Sequence, residues 1–355
     1  MDSVFPGEII LEILSWLPAN SLLRFKCVSK LWHSLICDPH LRELHHRSRG
    51  LHSLNIAMFH WSGLTLRSYK LVGDDITCLG RNMFGEDQVG YASQIMSCEG
   101  LICFVWDRTF HVCNPTTGEL ERLPRTYALG APGFGFGYDP TRKEYKVVRP
   151  ILCSYFDKIG PRFEVITLGS DSGWRTIEQS IGLVRAVRPV ALNGVIYWIS
   201  RSKLVTFNVS DESIGTTEVP CIFKGNLPDK VILVVLDGKL CMVNNVYHDD
   251  RRNNNELHIW MLKDRTGGLW TKEYCIEPHR CGMPCEVTPV CMWSEKIVLQ
   301  HKGYRLFFYD PETRTSSEFQ RFWNHLPSQL ISNYMESLVT VPKTKQGRKR
   351  DLNIS

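Results

Sequence analysis

Three times along this chain a glycine preceded by an acidic or amide residue opens a short apolar run: Glu99-Gly100-Leu101-Ile102-Cys103-Phe104, Asn193-Gly194-Val195-Ile196-Tyr197-Trp198 and Asp237-Gly238-Lys239-Leu240-Cys241-Met242. Asn-Gly and Asp-Gly pairs supply the positive-φ positions of a tight hairpin turn, and the runs behind them are strand-sized. A second punctuation recurs as Asn114-Pro115-Thr116-Thr117-Gly118, Asp139-Pro140-Thr141 and Asp310-Pro311-Glu312-Thr313. There proline presets φ, and the Asx side chain hydrogen-bonds onward along the backbone. From Ser48 to Pro342 the chain reads as short strands parted by Gly, Pro, Asn and Asp. The glycines that lead the three strands lie 94 and 44 residues apart, so the repeat is loose. About 290 residues at ~45 per unit gives roughly six units. This predicts a β-propeller, whose radial plan leaves only short sheet edges; an irregular pair of β-sandwiches is the alternative.

The first fifty residues follow a different period. Pro6 suits the first turn of a helix, and Ile10, Ile13, Leu14 and Leu17 then recur at i, i+3, i+4 and i+7, with Ile9 widening the stripe. Pro18 ends that helix, since it pushes the preceding residue out of the α region. Asn20 or Ser21 is the expected cap of a second helix bearing Leu22, Leu23 and Phe25. A third, starting near Ser29, places Trp32, Leu35 and Ile36 at helical spacing and ends at Asp38-Pro39. Three short helices cannot hide all these side chains against one another, so part of the apolar surface is expected to need a partner.

The run Phe5-Pro6-Gly7-Glu8-Ile9-Ile10-Leu11-Glu12-Ile13-Leu14-Ser15-Trp16-Leu17-Pro18, followed by Leu22-Leu23-Arg24-Phe25-Lys26-Cys27-Val28-Ser29-Lys30-Leu31-Trp32, resembles an F-box, with Phe5 in place of the usual first Leu. Further on, Gly135-Phe136-Gly137-Tyr138-Asp139-Pro140 with Glu144-Tyr145-Lys146-Val147-Val148-Arg149 is similar to the plant F-box-associated domain. So are Ser172-Gly173-Trp174-Arg175-Thr176-Ile177, Leu192-Asn193-Gly194-Val195-Ile196-Tyr197-Trp198, His258-Ile259-Trp260-Met261-Leu262 and Tyr334-Met335-Glu336-Ser337-Leu338. These are strand and turn residues, which define a fold and not a substrate site. The resemblance implies an α+β, multidomain chain: a small N-terminal three-helix F-box followed by an all-β propeller-like (kelch-like) domain. The expected boundaries are 1–45 for the F-box, 46–94 for a linker and first strands, 95–342 for the β domain, and 343–355 for a basic disordered tail.

Resemblance also implies a role: the substrate-recognition subunit of a Skp-cullin-F-box ubiquitin ligase. It would dock a Skp-type adaptor, and through it a cullin, and present a protein substrate of unknown identity. The implied adaptor-facing set is Pro6, Ile9, Ile10, Ile13, Leu14, Leu17, Pro18, Leu22, Val28 and Trp32, with the competing reading that some of these, Ile13 and Trp32 especially, form the module's own core. An F-box scaffold that binds without promoting degradation is the alternative function. A propeller hydrolase is a third reading, for which no catalytic spacing is present.

Charge narrows the partners. Of the net +5, the tail supplies +4 through Lys343, Lys345, Arg348, Lys349 and Arg350 against Asp351, so the rest is nearly neutral and no nucleic-acid footprint is expected. The tail reads either as a nuclear import signal or as solvated disorder. No apolar run reaches membrane-spanning length and no secretory start is present, so a cytoplasmic and/or nuclear protein with free thiols is expected. Cys103, Cys113, Cys153 and Cys241 sit in apolar runs, where a thiol acts as a small hydrophobe. His279, Cys281, Cys285 and Cys291 crowd together, but their spacing misses paired zinc motifs, and Pro284 and Pro289 suggest a loop. Gly133-Phe134-Gly135-Phe136-Gly137 lacks the Lys-Ser/Thr and helix of a phosphate loop. No catalytic residue, cofactor or metal is therefore expected. Asp249, Asp250, Arg251 and Arg252 with Asn253 to Asn255 read as a polar loop and a candidate partner contact.

Overall fold

In the computed structural model of the protein, the described residues run from 6 to 344, except 39, 42–43, 46–53, 61–64, 73–74, 84–93, 107, 127–132, 152–161, 171–172, 178–188, 201–202, 224–230, 248–254, 265–267, 302–304, 320–327 and 331–333. Phe5, Cys153, the 249–254 loop and the 345–355 tail thus lie outside the described residues. The chain divides into two compact units, residues 1–123 with 331–342 and residues 124–330 with 343–355. Among the described residues, no helix is long and apolar enough to cross a membrane.

The first unit begins with α1 (Gly7–Ser15), α2 (Ala19–Phe25) and α3 (Lys30–Cys37). Pro18 both ends α1 and stands at the N-cap of α2, so neither Asn20 nor Ser21 caps that helix. Its ring holds φ at −53°, and its carbonyl accepts the first helical bonds from the N–H groups of Ser21 and Leu22. Ser29 caps α3, its Oγ accepting from the N–H of Trp32 at 3.1 Å. Leu14, Ala19, Leu22, Ile36 and Leu41 form the helical core, and one more residue completes it: Leu338, from more than 290 residues away.

Two sheets follow in this unit. Strands β1 (Leu54–His60), β2 (Thr65–Val72) and β3 (Asp75–Met83) pair antiparallel in chain order, as do β4 (Ile95–Cys98), β5 (Leu101–Trp106), β6 (Thr109–Cys113) and β7 (Leu120–Arg122). The Asn114 turn between β6 and β7 works in two directions. Its Oδ1 accepts from the N–H of Thr116 at 2.8 Å, closing the Asx turn. Its Nδ2 donates to the carbonyls of Ser337 and Val339 at 3.0 and 2.7 Å, tying down the segment that delivers Leu338.

The second unit holds four four-stranded antiparallel sheets. The first runs β8 (Gly135–Asp139), β9 (Glu144–Ile151), β10 (Arg162–Thr167) and β11 (Arg175–Ile177); the next β12 (Val190–Leu192), β13 (Val195–Ile199), β14 (Lys203–Asn208) and β15 (Ile214–Glu218). Then come β16 (Ile232–Leu236), β17 (Lys239–Tyr247), β18 (Asn255–Asp264) and β19 (Leu269–Ile276), followed by β20 (Val287–Trp293), β21 (Lys296–His301), β22 (Arg305–Asp310) and β23 (Thr315–Phe319). A last short strand is β24 (Ser328–Leu330).

Successive sheets of this unit pack face to face, which explains why middle strands such as β13, β21 and β22 are apolar without alternation. Ile196 and Trp198 of β13 join Val148, Phe163 and Val165 of the preceding sheet, while Tyr197 and Ile199 join Leu233, Leu240 and Met242 of the following one. Cys241 and Val243 of β17 then face Val287, Ile297 and Leu299. Gly135 and Gly137 make the first of these contacts possible. A Cβ on either would intrude on Ile196 or Val209, so this glycine pair is a packing device and not a phosphate cradle. All three Asx-Gly or Glu-Gly pairs are hairpin turns with positive φ at both positions: 45° and 83° at Glu99-Gly100, 50° and 73° at Asn193-Gly194, 48° and 64° at Asp237-Gly238. A fourth turn of the same kind has no glycine, Ser294-Glu295 at 44° and 66°. Pro289 lies inside β20 and not in a loop; the strand is the edge of its sheet and is bulged between Pro289 and Cys291, where a missing N–H is tolerated.

Candidate interaction face of the helical unit

Helix α1 and the two residues that follow it carry two apolar stripes, each at i, i+4 and i+7. Ile10, Leu14 and Leu17 turn inward, Leu14 fully buried and the other two packed against the same core. Ile9, Ile13 and Trp16 turn outward and are 46%, 54% and 64% exposed. Val28 and Leu31, three apart around the start of α3, are also exposed. Of the seven large hydrophobic side chains that are exposed among the described residues, five lie between residues 9 and 31. Singly exposed apolar residues need no explanation, but five on three short helices form a surface that water does not favour.

The ten residues expected to face an adaptor therefore separate into three groups. Pro6, Ile9, Ile13 and Val28 are exposed, so Ile13 is no core residue of this module. Ile10, Leu17, Pro18 and Trp32 are half-buried; Trp32 is held edge-on against Phe25, with ring centroids 5.3 Å apart. Leu14 and Leu22 are fully buried in the helical core and have no surface to offer a partner directly. Trp16 and Leu31 were not in the expected set. The spacing of Trp16 from Ile9 and Ile13 was the available signal, masked because α1 is apolar nearly all round. His45 braces the end of α1, its Nε2 lying 2.9 Å from the carbonyl oxygen of Leu17.

Several charged groups among the described residues of the second unit are paired for structure. Lys146 donates to the carbonyl of Val209 at 2.7 Å and meets Glu212 at 2.9 Å, and Arg149 pairs with Glu164 at 2.8 Å. Asp139 accepts from the N–H of Thr141 and the hydroxyl of Ser210 at 2.9 and 2.8 Å and pairs with Arg142 at 3.1 Å. The crowded His279, Cys281, Cys285 and Cys291 do not converge. Cys281 donates to the carbonyl of Arg314 at 3.3 Å, and Cys291 is buried in β20, which pushes its thiol up to about 12. Cys103, Cys113 and Cys241 are buried free thiols.

Family models match both parts of the chain: an F-box domain over residues 3–44 and an F-box associated beta propeller domain over residues 78–340. Three similar proteins of Arabidopsis thaliana are F-box protein At3g57590, 29% identical over 90% of this chain and 86% of its own length, F-box protein At1g47340, 28% identical over 90% and 76%, and F-box protein At5g65850, 29% identical over 78% and 73%. With three short helices at its start and antiparallel four-stranded sheets through the matched region, this chain belongs to the F-box proteins that carry an F-box-associated beta propeller domain.

Proposed function

We propose that this protein is the substrate-recognition subunit of a Skp-cullin-F-box ubiquitin ligase, acting in the cytoplasm and/or nucleus. The outward face of its helices holds a Skp-type adaptor, and through it a cullin, while its β domain serves as a kelch-like surface for a target protein. What carries the reading is the concentration of exposed apolar side chains on the helical unit, five of seven among the described residues. Pro6, Ile9, Ile13 and Val28, joined by Trp16 and Leu31, make the direct contacts. Ile10, Leu17, Pro18 and Trp32 form the border, and Leu14 and Leu22 act only by holding the helices in place. The subunit is non-catalytic. It contributes proximity, raising the effective concentration of target lysines beside a charged conjugating enzyme.

Co-precipitation of the full chain with a Skp-type adaptor tests the assignment. Ile13→Asp combined with Trp16→Ala leaves the far-ultraviolet circular dichroism unchanged and abolishes capture. Capture undiminished in that correctly folded double variant overturns the reading. Proximity labelling with the wild type and the double variant then identifies targets, as proteins that are labelled by both and accumulate only when docking is lost.

A further inference from the structure

Strands β18 and β19 pair so that His258 stands directly opposite Cys275, and Glu256 lies two residues before His258 on the same face. The alternation of β18 fixes that face: Leu257, Ile259 and Met261 point into the core, leaving Glu256, His258 and Trp260 on the other side. Three different donor types therefore meet: a carboxylate oxygen, an imidazole nitrogen and a thiol sulfur, all within 4.8 Å of one another. Glu256 Oε2 is 2.7 Å from His258 Nε2 and 3.5 Å from Cys275 Sγ. The ladder is bulged immediately beyond, between Ile259 and Trp260, a device that re-aims side chains at the edge of a sheet. Among the described residues, no other group of His, Cys, Asp and Glu side chains converges in this way.

We propose that Glu256, His258 and Cys275 form a zinc site. A tetrahedral zinc ion with Zn–N and Zn–O near 2.0–2.2 Å and Zn–S near 2.3 Å spaces its donors about 3.3–3.6 Å apart. The Glu256–Cys275 separation of 3.5 Å already lies in that range and the Glu256–His258 separation of 2.7 Å falls short of it. Small side-chain rotations close the difference because His258 and Glu256 are only partly buried and Cys275 is exposed. Mixed sulfur, nitrogen and oxygen ligation selects zinc over magnesium or calcium, which take oxygen. Without metal, the Cys275 thiol donates its proton in a hydrogen bond to the Glu256 carboxylate at 3.5 Å. Zinc takes the place of that proton, which passes to solvent, and His258 binds through Nε2 with its own proton on Nδ1. The fourth position is left to water. Since β19 is the last strand of its sheet, the ion pins an edge strand to its neighbour.

The test is zinc competition between the purified full chain and a chromogenic chelator, with Co(II) substituted as a spectroscopic probe. One zinc per chain and a thiolate-to-cobalt absorption band are expected for the wild type. Cys275→Ser should remove the band and weaken zinc binding by at least about tenfold, the lower end of what even an outer-shell change costs. Glu256→Gln, which keeps the shape of the side chain, should weaken zinc binding too and serves as the readout if Cys275→Ser misfolds. Cys281→Ser, in the neighbouring 3-10 turn, should change nothing. The proposal is overturned if the wild type takes no zinc from the chelator, if Glu256→Gln binds as tightly as the wild type, or if Cys281→Ser is the substitution that abolishes binding.

Discussion

Helix α1 and strand β13 both carry apolar side chains on two faces, one at a period of 3.6 residues and the other at a period of two. In β13 both faces are covered, Ile196 and Trp198 by the sheet before and Tyr197 and Ile199 by the sheet after. In α1 only one face is covered; Ile10, Leu14 and Leu17 pack inward while Ile9, Ile13 and Trp16 meet solvent. Two-faced apolarity is a demand for two covers. Stacked sheets meet it within the chain, whereas three short helices can supply one cover at most. The uncovered stripe is thus the more informative half of the pattern, because nothing in the stability of the helices requires it.

The two tryptophans put the largest numbers on this contrast. Trp198 is fully buried, packs on Phe163 at 4.9 Å and donates to the carbonyl of Gly133 at 2.9 Å. Trp198→Ala should cost about 3–5 kcal/mol in chemical denaturation. Trp16→Ala should change stability by less than about 0.5 kcal/mol, yet weaken adaptor capture by about 2 kcal/mol or more if it is an anchor of the face. Equal stability losses at both sites would break the comparison.

Asn114→Ala sharpens it from another side. The residue holds the segment carrying Leu338, so its loss should cost about 1–3 kcal/mol and speed amide exchange in α1 and α2, a result no contact within the helices would predict. Acid separates the units by chemistry. Burial alone would raise the Asp139 carboxyl, but hydrogen bonds from Ser210, Arg142 and the Thr141 and Arg142 backbone prevail and hold it near 2. A depressed carboxylate stabilises the fold above its ordinary value near 4 and loses that contribution as pH falls toward 2. The stability gap between wild type and Asp139→Asn, read by denaturation, should therefore be full at pH 5 and close between about pH 4 and 2. Smallest is Glu295→Gly. It relieves a left-handed backbone at φ 66° and should gain about 0.5 kcal/mol, strain relief slightly exceeding the added chain entropy, seen as a small rise in melting temperature.

Much of the fold was legible. Turn chemistry is local, so Glu99-Gly100, Asn193-Gly194 and Asp237-Gly238 announced their hairpins, and Asn114, Asp139 and Asp310 their Asx turns. Ser294-Glu295 gave no such signal, because the tertiary ladder on both sides holds a turn its own residues disfavour. Pro289 misled for the complementary reason: proline breaks a central strand but is harmless at an edge, and edges are not written locally. At the candidate site the stripe of α1 could be read, but not its division into a covered and an uncovered half.

What the amino-acid order determined on its own was whatever depends on a few neighbouring residues: helix stops at proline, the Ser29 cap, positive-φ turns and the period of the apolar pattern. Tertiary structure alone decided which face of α1 is covered, that Leu338 fills the helical core, and that Glu256, His258 and Cys275 meet across two strands. Burial and convergence are set by contacts between residues far apart in the chain, and no local rule carries that information.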